Sequence, residues 1–339
     1  MTPAIFGVAG LALSEDERAF FAEADPVGYI LFSRNCETKE QLRALTDDLR
    51  AIHGRDRLIV SIDQEGGRVR RMKPPVWLDH PPAAAYAALY DVAPISAIEA
   101  ARIGAELMGR ELAEVGISVD FHPPLDLPQP GAHDVIGDRA LGKEPMQVAA
   151  LGRAILDGLA AAGVVGCIKH MPGHGRSTTD THKEMPTVTA AAAELASDLE
   201  PFRKLAHAPL GMTGHLLFTA WDPERPATVS PTVIEGIIRG AIGFDGLLLT
   251  DDIDMEALSG TVPERAERAI AAGCDVVLNC WAKMDDMLGI AERCGTLGEA
   301  GRIRLARVHD AMESQNGASP PAELLAKRDA LLAIAAAQA

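Results

Sequence analysis

Eight short apolar runs, most of them rich in β-branched residues, recur along the 339-residue chain and alternate with longer segments of helical spacing. They lie at residues 5–8, 28–32, 58–63, 117–121, 164–170, 211–215, 246–252 and 275–279. Most are apolar throughout rather than at alternate positions, the pattern of strands covered on both faces. Strand, short polar or glycine-rich link, then helix, repeated, implies a parallel sheet, because parallel neighbours need long crossover connections. Eight such units in about 280 residues fit a (β/α)8 barrel better than a doubly wound sheet, which uses fewer strands. The expected fold is therefore α/β, a single-domain (β/α)8 TIM-type barrel over residues 1–313. Its first helix is short and its fourth connection long, which leaves room for irregularity. Residues 314–321, rich in Gly, Ser, Asn and Pro, read as a linker. It leads to a last helix over 322–337, whose Leu324, Leu325, Leu331, Leu332 and Ile334 suit packing on the barrel exterior.

Helix ends are legible too. Ser96 with Glu99 three residues on forms a capping-box pattern, followed by a stripe of Ile98, Ala101, Ala105, Met108, Leu112 and Val115. Ser230 is placed to cap a helix with Pro231 in its first turn and Gly243 just past its end. Gly273 ends the next helix likewise.

Composition excludes several partners. A formal charge of −16 argues against nucleic acid, whose affinity comes from Lys and Arg on phosphates, and against anionic membranes. The apolar run at residues 4–13 lacks a basic flank and meets Glu15, Asp16 and Glu17 at once, a poor signal peptide. No run reaches transmembrane length. Five widely spaced cysteines, an odd number set mostly among apolar neighbours, suit buried thiols in a reducing compartment. The expected location is the cytoplasm.

In such a barrel the polar residues at strand C-termini carry the chemistry. The third run ends in Asp63, followed by Gln64, Glu65, Gly66, Gly67, Arg68 and Arg71. The fifth ends in Lys169 and His170, the sixth in His215, the seventh in Asp251 and Asp252. After Lys169 and His170 the chain continues Met171-Pro172-Gly173-His174-Gly175 into a loop bearing Asp180-Thr181-His182. A carboxylate two residues from an imidazole can accept its ring N–H, fix its tautomer and raise its basicity.

Together the K-H-x-P-G-H-G stretch, the D-x-H pair, D-Q-E-G-G-R-V at residues 63–69 and T-D-D at residues 250–252 resemble glycoside hydrolase family 3. Within it they are similar to the single-domain bacterial β-N-acetylglucosaminidases of peptidoglycan recycling. The match runs in order over about residues 5–279, with barrel spacing. The resemblance implies Asp251 as nucleophile and His182 as acid/base held by Asp180, with Asp63, Arg71, Arg139, Lys169 and His170 binding the sugar. It implies no cofactor or metal, a carbohydrate or muropeptide as partner, and a monomer. Met171, often aromatic in the family, and Arg176, often acidic, depart from the pattern.

Other readings stay open on residues alone. Asp251 taken singly is also a helix N-cap before a segment starting near Met255. Asp252 reads as a cap or a support, Glu65 as structural, and His174 and His215 as core or supporting groups. Lys169, His170 and Asp63 also suit a buried ion cluster with no reaction. His170, His174, His182, His215 and Asp251 are enough ligands for a zinc hydrolase, though without paired-ligand spacing. A sugar-binding barrel without catalysis, and a phosphorylase using the same nucleophile, complete the set.

Overall fold

The computed structural model describes residues 1–129, 131, 136–177, 185–313 and 319–337. Its main sheet is parallel and takes all eight expected runs: β1 (Thr2–Gly7), β2 (Pro26–Leu31), β3 (Ile59–Ile62), β4 (Val119–Asp120), β5 (Val165–Gly166), β6 (Ile168–Met171), β8 (Leu210–Thr213), β10 (Leu247–Asp252) and β11 (Val276–Asn279). The order is β5-β4-β3-β2-β1-β11-β10-β8-β6. The single run expected at 164–170 is thus two strands broken at Cys167, and these are the two ends of the sheet. Cys167 N donates to the carbonyls of Asp120 and His122, and Pro124 bridges to Lys169. One continuous stretch of chain therefore pairs on both sides and closes an irregular (β/α)8 barrel. Two short strands, β7 (Thr187–Val188) and β9 (Leu217–Phe218), form a separate parallel pair that the apolar patterning did not reveal.

The uniformly apolar runs have a simple cause. Ile5, Ile30, Ile59, Val119, Val165, Cys167, Leu247 and Leu249 fill the barrel lumen. Their alternates Ala4, Phe6, Tyr29, Leu31, Val60, Ile168 and Leu248 pack outward beneath the helices. Both faces of each strand are buried, so neither is polar. The helices on the outside include α1 (Glu15–Ala24), α2 (Lys39–His53), α3 (Ala83–Val92), α4 (Pro94–Glu114), α5 (Pro145–Ala161), α6 (Ala192–Lys204), α7 (Val262–Ala272), α8 (Met284–Cys294), α9 (Glu299–Ala311) and α10 (Pro321–Ala336). Leu305 and Val308 of α9 join the lumen cluster.

Some helix ends hold and others move. Gly243 and Gly273 both end their helices with left-handed backbone, φ 79° and 113°. Ser230 Oγ accepts Val233 N at 3.2 Å, starting a helix over Thr232–Ile242 whose turns are π-type rather than α. Ser96 does not cap α4, because the helix already begins at Pro94 and Ser96 lies inside its first turn. Ile98 correspondingly faces solvent while Ala97 and Ala101 are buried. The last helix packs on α3 and α4, with Leu324 against Ile103 and Leu107. Among the described residues no helix is long and apolar enough to cross a membrane.

Candidate active site

The period-two alternation that fills the lumen also builds the site. Continuing from Leu247 and Leu249, the next lumen position of β10 is Asp251. Ile59 and Ser61 lead to Asp63, and Val165 and Cys167 to Lys169. These three side chains, with Arg71, Arg139, His170, Asp252, Phe32 and Cys280, line one cleft of about 290 Å³ at the C-terminal mouth.

The segment after Asp63 is a closed turn. Glu65 N donates to Val69 O at 2.9 Å, and Val69 N to Gly66 O at 3.2 Å. Gly66 and Gly67 have φ of 86° and 54°, a left-handed pair that side-chain-bearing residues resist. Gln64 Oε1 then accepts the amides of Arg71 (2.8 Å) and Met72 (3.1 Å), pinning the returning chain. Arg71 is thereby delivered to Asp63, Nη2 to Oδ2 at 3.0 Å. Its guanidinium lies 5.1 Å from the centre of the Phe32 ring.

Beneath this turn runs a buried ion network. Lys169 Nζ sits 3.0 Å from Asp63 Oδ1 and 2.7 Å from Glu65 Oε1. Arg139 grips Glu65 with two parallel bonds of 2.8 and 2.7 Å. Burial pushes the Asp63 carboxyl up, but Lys169 and Arg71 outweigh it and hold the group below its ordinary value. Burial likewise opposes ionisation of Glu65, yet Arg139 and Lys169 hold it well below. Desolvation works against the Lys169 ammonium, and the two carboxylates more than offset it, raising its pKa. The residues expected to bind sugar are thus also the ion cluster left open as an alternative, and Glu65 is its structural centre.

His170 is held by a residue the sequence reading did not single out. Its Nδ1–H donates to Asp126 Oδ2 at 2.7 Å, and the amides of His170 (3.2 Å) and His174 (2.7 Å) donate to Asp126 Oδ1. Burial favours a neutral Asp126, but His170 and these donors keep it ionised, with a pKa of about 2. That fixes the ring and leaves Nε2 without a partner among the described residues. His174 packs edge-on at 5.6 Å, and desolvation lowers its pKa to about 4. Asp126 lies five residues past the fourth apolar run, in Pro123-Pro124-Leu125-Asp126. The strand-end logic that selects Asp63 was the available signal.

Asp251 ends in the strand, not in a helix cap, since the next helix starts at Val262. Its Oδ1 accepts Asp252 N at 2.8 Å. Burial raises its pKa, but the imidazoles of His170 and His215 and that amide outweigh it, leaving the carboxyl below its ordinary value. His215 is itself fixed: Nε2–H donates to Asp252 O at 2.9 Å and Nδ1 meets Thr228 Oγ1 at 2.8 Å. Asp252 supports from behind, its Oδ1 accepting the amides of Asp254 (3.1 Å) and Cys280 (3.3 Å). Burial, Asp254 and Asp251 drive its pKa well up. Adjacent carboxyls are thus shifted in opposite directions.

Asp180 and His182 lie outside the described residues. Before them, Arg176 pairs with Asp198 of α6 at 2.5 Å, and Met171 is buried in the outer apolar layer. Among the described residues no three His, Cys, Asp or Glu side chains gather as metal ligands.

Comparison with known proteins agrees with the fold. The profile of the glycosyl hydrolase family 3 N terminal domain matches residues 6–314. A beta-hexosaminidase of Alkalilimnicola ehrlichii is 41% identical over 283 residues, covering 82% of this chain and 80% of its own. One from Chromobacterium violaceum is 40% identical over 287 residues, covering 82% and 78%. The crystal structure of NagZ from Neisseria gonorrhoeae in complex with N-trifluoroacetyl-D-glucosamine superposes with a TM-score of 0.86. It is 31% identical and covers 98% of both chains. Profile, relatives and barrel agree over the same stretch of sequence, and the chain belongs to glycosyl hydrolase family 3.

Proposed function

We propose that this glycoside hydrolase is a retaining exo-β-N-acetylglucosaminidase, acting on terminal β-linked N-acetylglucosamine through a glycosyl ester on Asp251. The observation that carries this reading is the Asp251 carboxylate at the cleft wall, its Oδ1 fixed by Asp252 N at 2.8 Å, in one cleft with Asp63, Arg71 and Lys169. A nucleophile must be ionised and aimed, and the amide of Asp252 does both. Asp63 and Arg71 hold each other in reach of sugar hydroxyls, and His170, turned by Asp126, offers Nε2 to the cleft. Arg139 and Lys169, which line the same cleft and pair with the buried Glu65, complete the sugar-binding set.

In the first step Asp251 attacks the anomeric carbon while His182, as imidazolium, protonates the departing oxygen. The neutral imidazole then takes a proton from water, which attacks the ester and releases N-acetylglucosamine with retained configuration. Asp180 accepts the other ring N–H of His182. The roles of Asp180 and His182 rest on the motif resemblance, which equally suggests cytoplasmic muropeptides of peptidoglycan recycling as the natural substrates.

A panel of aryl β-glycosides with product analysis in water and in phosphate tests the reading. Aryl N-acetyl-β-glucosaminides should be hydrolysed well above aryl β-glucosides, releasing the free β-anomer first. A preference for plain glucosides refutes the specificity, and a sugar phosphate as the main product in phosphate buffer makes the enzyme a phosphorylase. His182→Ala should slow poor leaving groups far more than activated ones, with azide rescuing turnover of the activated substrate. Uniform loss without rescue removes His182 from the mechanism.

A further inference from the structure

A regular strand sends consecutive side chains to opposite faces, yet Lys169 with His170, and Asp251 with Asp252, line one cleft as neighbouring pairs. Each pair coincides with an extra residue in its strand. From Leu249 to Asp252, β10 advances three residues where β11 advances two, Val276 to Leu278. From Ile168 to Met171, β6 likewise outruns β8, which goes from Gly211 to Thr213. Such bulges interrupt the ladder and re-aim side chains, so other groups take over its hydrogen bonds. On the β11 side Thr250 Oγ1 accepts Leu278 N at 2.9 Å. On the other side stands β8, which lies between the two bulged strands. Its register with β10 ends at Met212 opposite Leu249. Beyond that point the chain following β8 holds both neighbours. Gly214 N donates to Met171 O at 2.8 Å, and His215 Nε2–H donates to Asp252 O at 2.9 Å.

The second of these bonds needs one particular tautomer. A neutral imidazole carries a single ring N–H, so with the proton on Nε2 the other nitrogen, Nδ1, is an acceptor in need of a donor. Burial pushes the His215 pKa down and favours that neutral ring. The group facing Nδ1 is the hydroxyl of Thr228, 2.8 Å away in the short turn Ala227–Val229. Its one hydrogen goes to Nδ1, and Gly214 O, at 3.2 Å, is the more distant rival acceptor. Thr213 Oγ1, 2.8 Å from Thr228 Oγ1, then donates to it. Thr213, His215 and Thr228 are wholly buried, and neither His215 nor Thr228 lines the cleft. Thr228→Val would fill the same volume without desolvating a hydroxyl, so packing alone does not ask for this chain of bonds.

We propose that Thr228 and His215 are positioning residues for the nucleophile. The Thr228 hydroxyl fixes the imidazole with its proton on Nε2, and the imidazole holds the bulged backbone at Asp252. The amide of Asp252 then meets Asp251 Oδ1 and aims the carboxylate. This rests on the reading of Asp251 as the nucleophile. Neither Thr228 nor His215 touches the reacting atoms.

The test measures kcat, KM and denaturant midpoint with an aryl N-acetyl-β-glucosaminide as substrate. Thr228→Val should lower kcat about 10- to 30-fold with KM within about twofold, because a misaimed nucleophile raises the barrier while the sugar-binding groups stay in place. Thr228→Ser, which restores the hydroxyl, should return kcat to within about threefold of wild type. His215→Gln offers an amide N–H to Asp252 O with no tautomer to fix, so adding Thr228→Val to it should cost less than about twofold more. Nitrogen NMR of the wild-type His215 ring should find the proton on Nε2. A proton on Nδ1, an unchanged kcat in Thr228→Val, no recovery in Thr228→Ser, or losses that multiply in the double variant each overturn the proposal. Where Thr228→Val does not fold, Thr228→Ala takes its place with the same expected split between kcat and KM. Asp251→Asn separates the two readings. If it keeps wild-type turnover, the nucleophile lies elsewhere and the positioning fails with it. An inactive Asp251→Asn beside an unaffected Thr228→Val overturns the positioning alone.

Discussion

Below the cleft Ile59, Cys167 and Leu249 fill the barrel lumen with apolar volume, and one or two alternations further along the same strands stand Asp63, Lys169 and Asp251. Backbone, register and direction are shared, and only the side-chain chemistry changes. The lower layer stabilises by burial, at about 25 cal/mol per Å² removed from water. The upper layer desolvates charges that are tolerated because each meets a partner. Replacing Asp251 or Leu249 with a neutral or smaller residue should therefore have opposite signatures, one on turnover and one on folding.

The largest expected effect lies in the upper layer. Asp251→Asn should fold normally yet lose at least ~10³-fold in kcat, because an amide cannot form the glycosyl ester. A variant keeping more than about a tenth of wild-type rate, under ~1.4 kcal/mol of barrier, places the nucleophile elsewhere.

Lys169→Met sharpens the contrast from the other side. It leaves Asp63 and Glu65 sharing only Arg71 and Arg139, and breaking a buried ion network typically costs about 3–5 kcal/mol. Denaturant midpoints should fall accordingly, and activity with them. An unchanged midpoint would mean that the remaining arginines satisfy both carboxylates. In the lower layer Leu249→Ala should cost about 2–5 kcal/mol of stability. Per folded molecule kcat should remain near wild type, and a larger fall in kcat would show that lumen packing sets the position of Asp251.

The same comparison explains what the sequence made legible. Period-two burial on both faces yields eight apolar runs, and the polar residue that ends a run marks the mouth, which is how Asp63, Lys169 and Asp251 stand out. Asp126 follows its strand only after two prolines, outside any periodic pattern, so its hold on His170 appears only once the loop folds back. The break at Cys167 is hidden for a related reason: closure needs one strand to pair with two neighbours, and an unbroken apolar run cannot show that. Ile98 and Ser96 mislead because Pro94 starts the helix earlier than the capping pattern suggests.

Acid stability should follow the upper layer. Asp126 is held at about 2, below the ordinary carboxyl value, so its contribution is fully present above about pH 4 and is lost as pH falls towards 2. The depression corresponds to about 2 kcal/mol. Asp126→Asn should flatten the stability–pH curve between those limits, and an unaltered slope would assign acid sensitivity to other carboxylates.

Asp252→Asn should have the smallest effect, and it tests the split between neighbouring carboxyls directly. Burial together with Asp254 and Asp251 pushes the Asp252 carboxyl well above its ordinary value, so the protonated form, which an amide of the same shape mimics, is favoured beside Asp251. The amide oxygen can still accept from Asp254 N and Cys280 N, as Oδ1 does now. Turnover should stay within about threefold of wild type, far above Asp251→Asn. The acid limb of the kcat/KM profile, which reports ionisation of the free enzyme's nucleophile, should stay in place, because no charge near Asp251 has been removed. An ionised Asp252 predicts otherwise: its negative charge would raise the pKa of Asp251, and removing it would move the acid limb to lower pH. A shift of that sign, larger than about half a unit, would show that both carboxyls are charged in the free enzyme. The imidazoles of His170 and His215 would then be neutralising a pair rather than a single nucleophile.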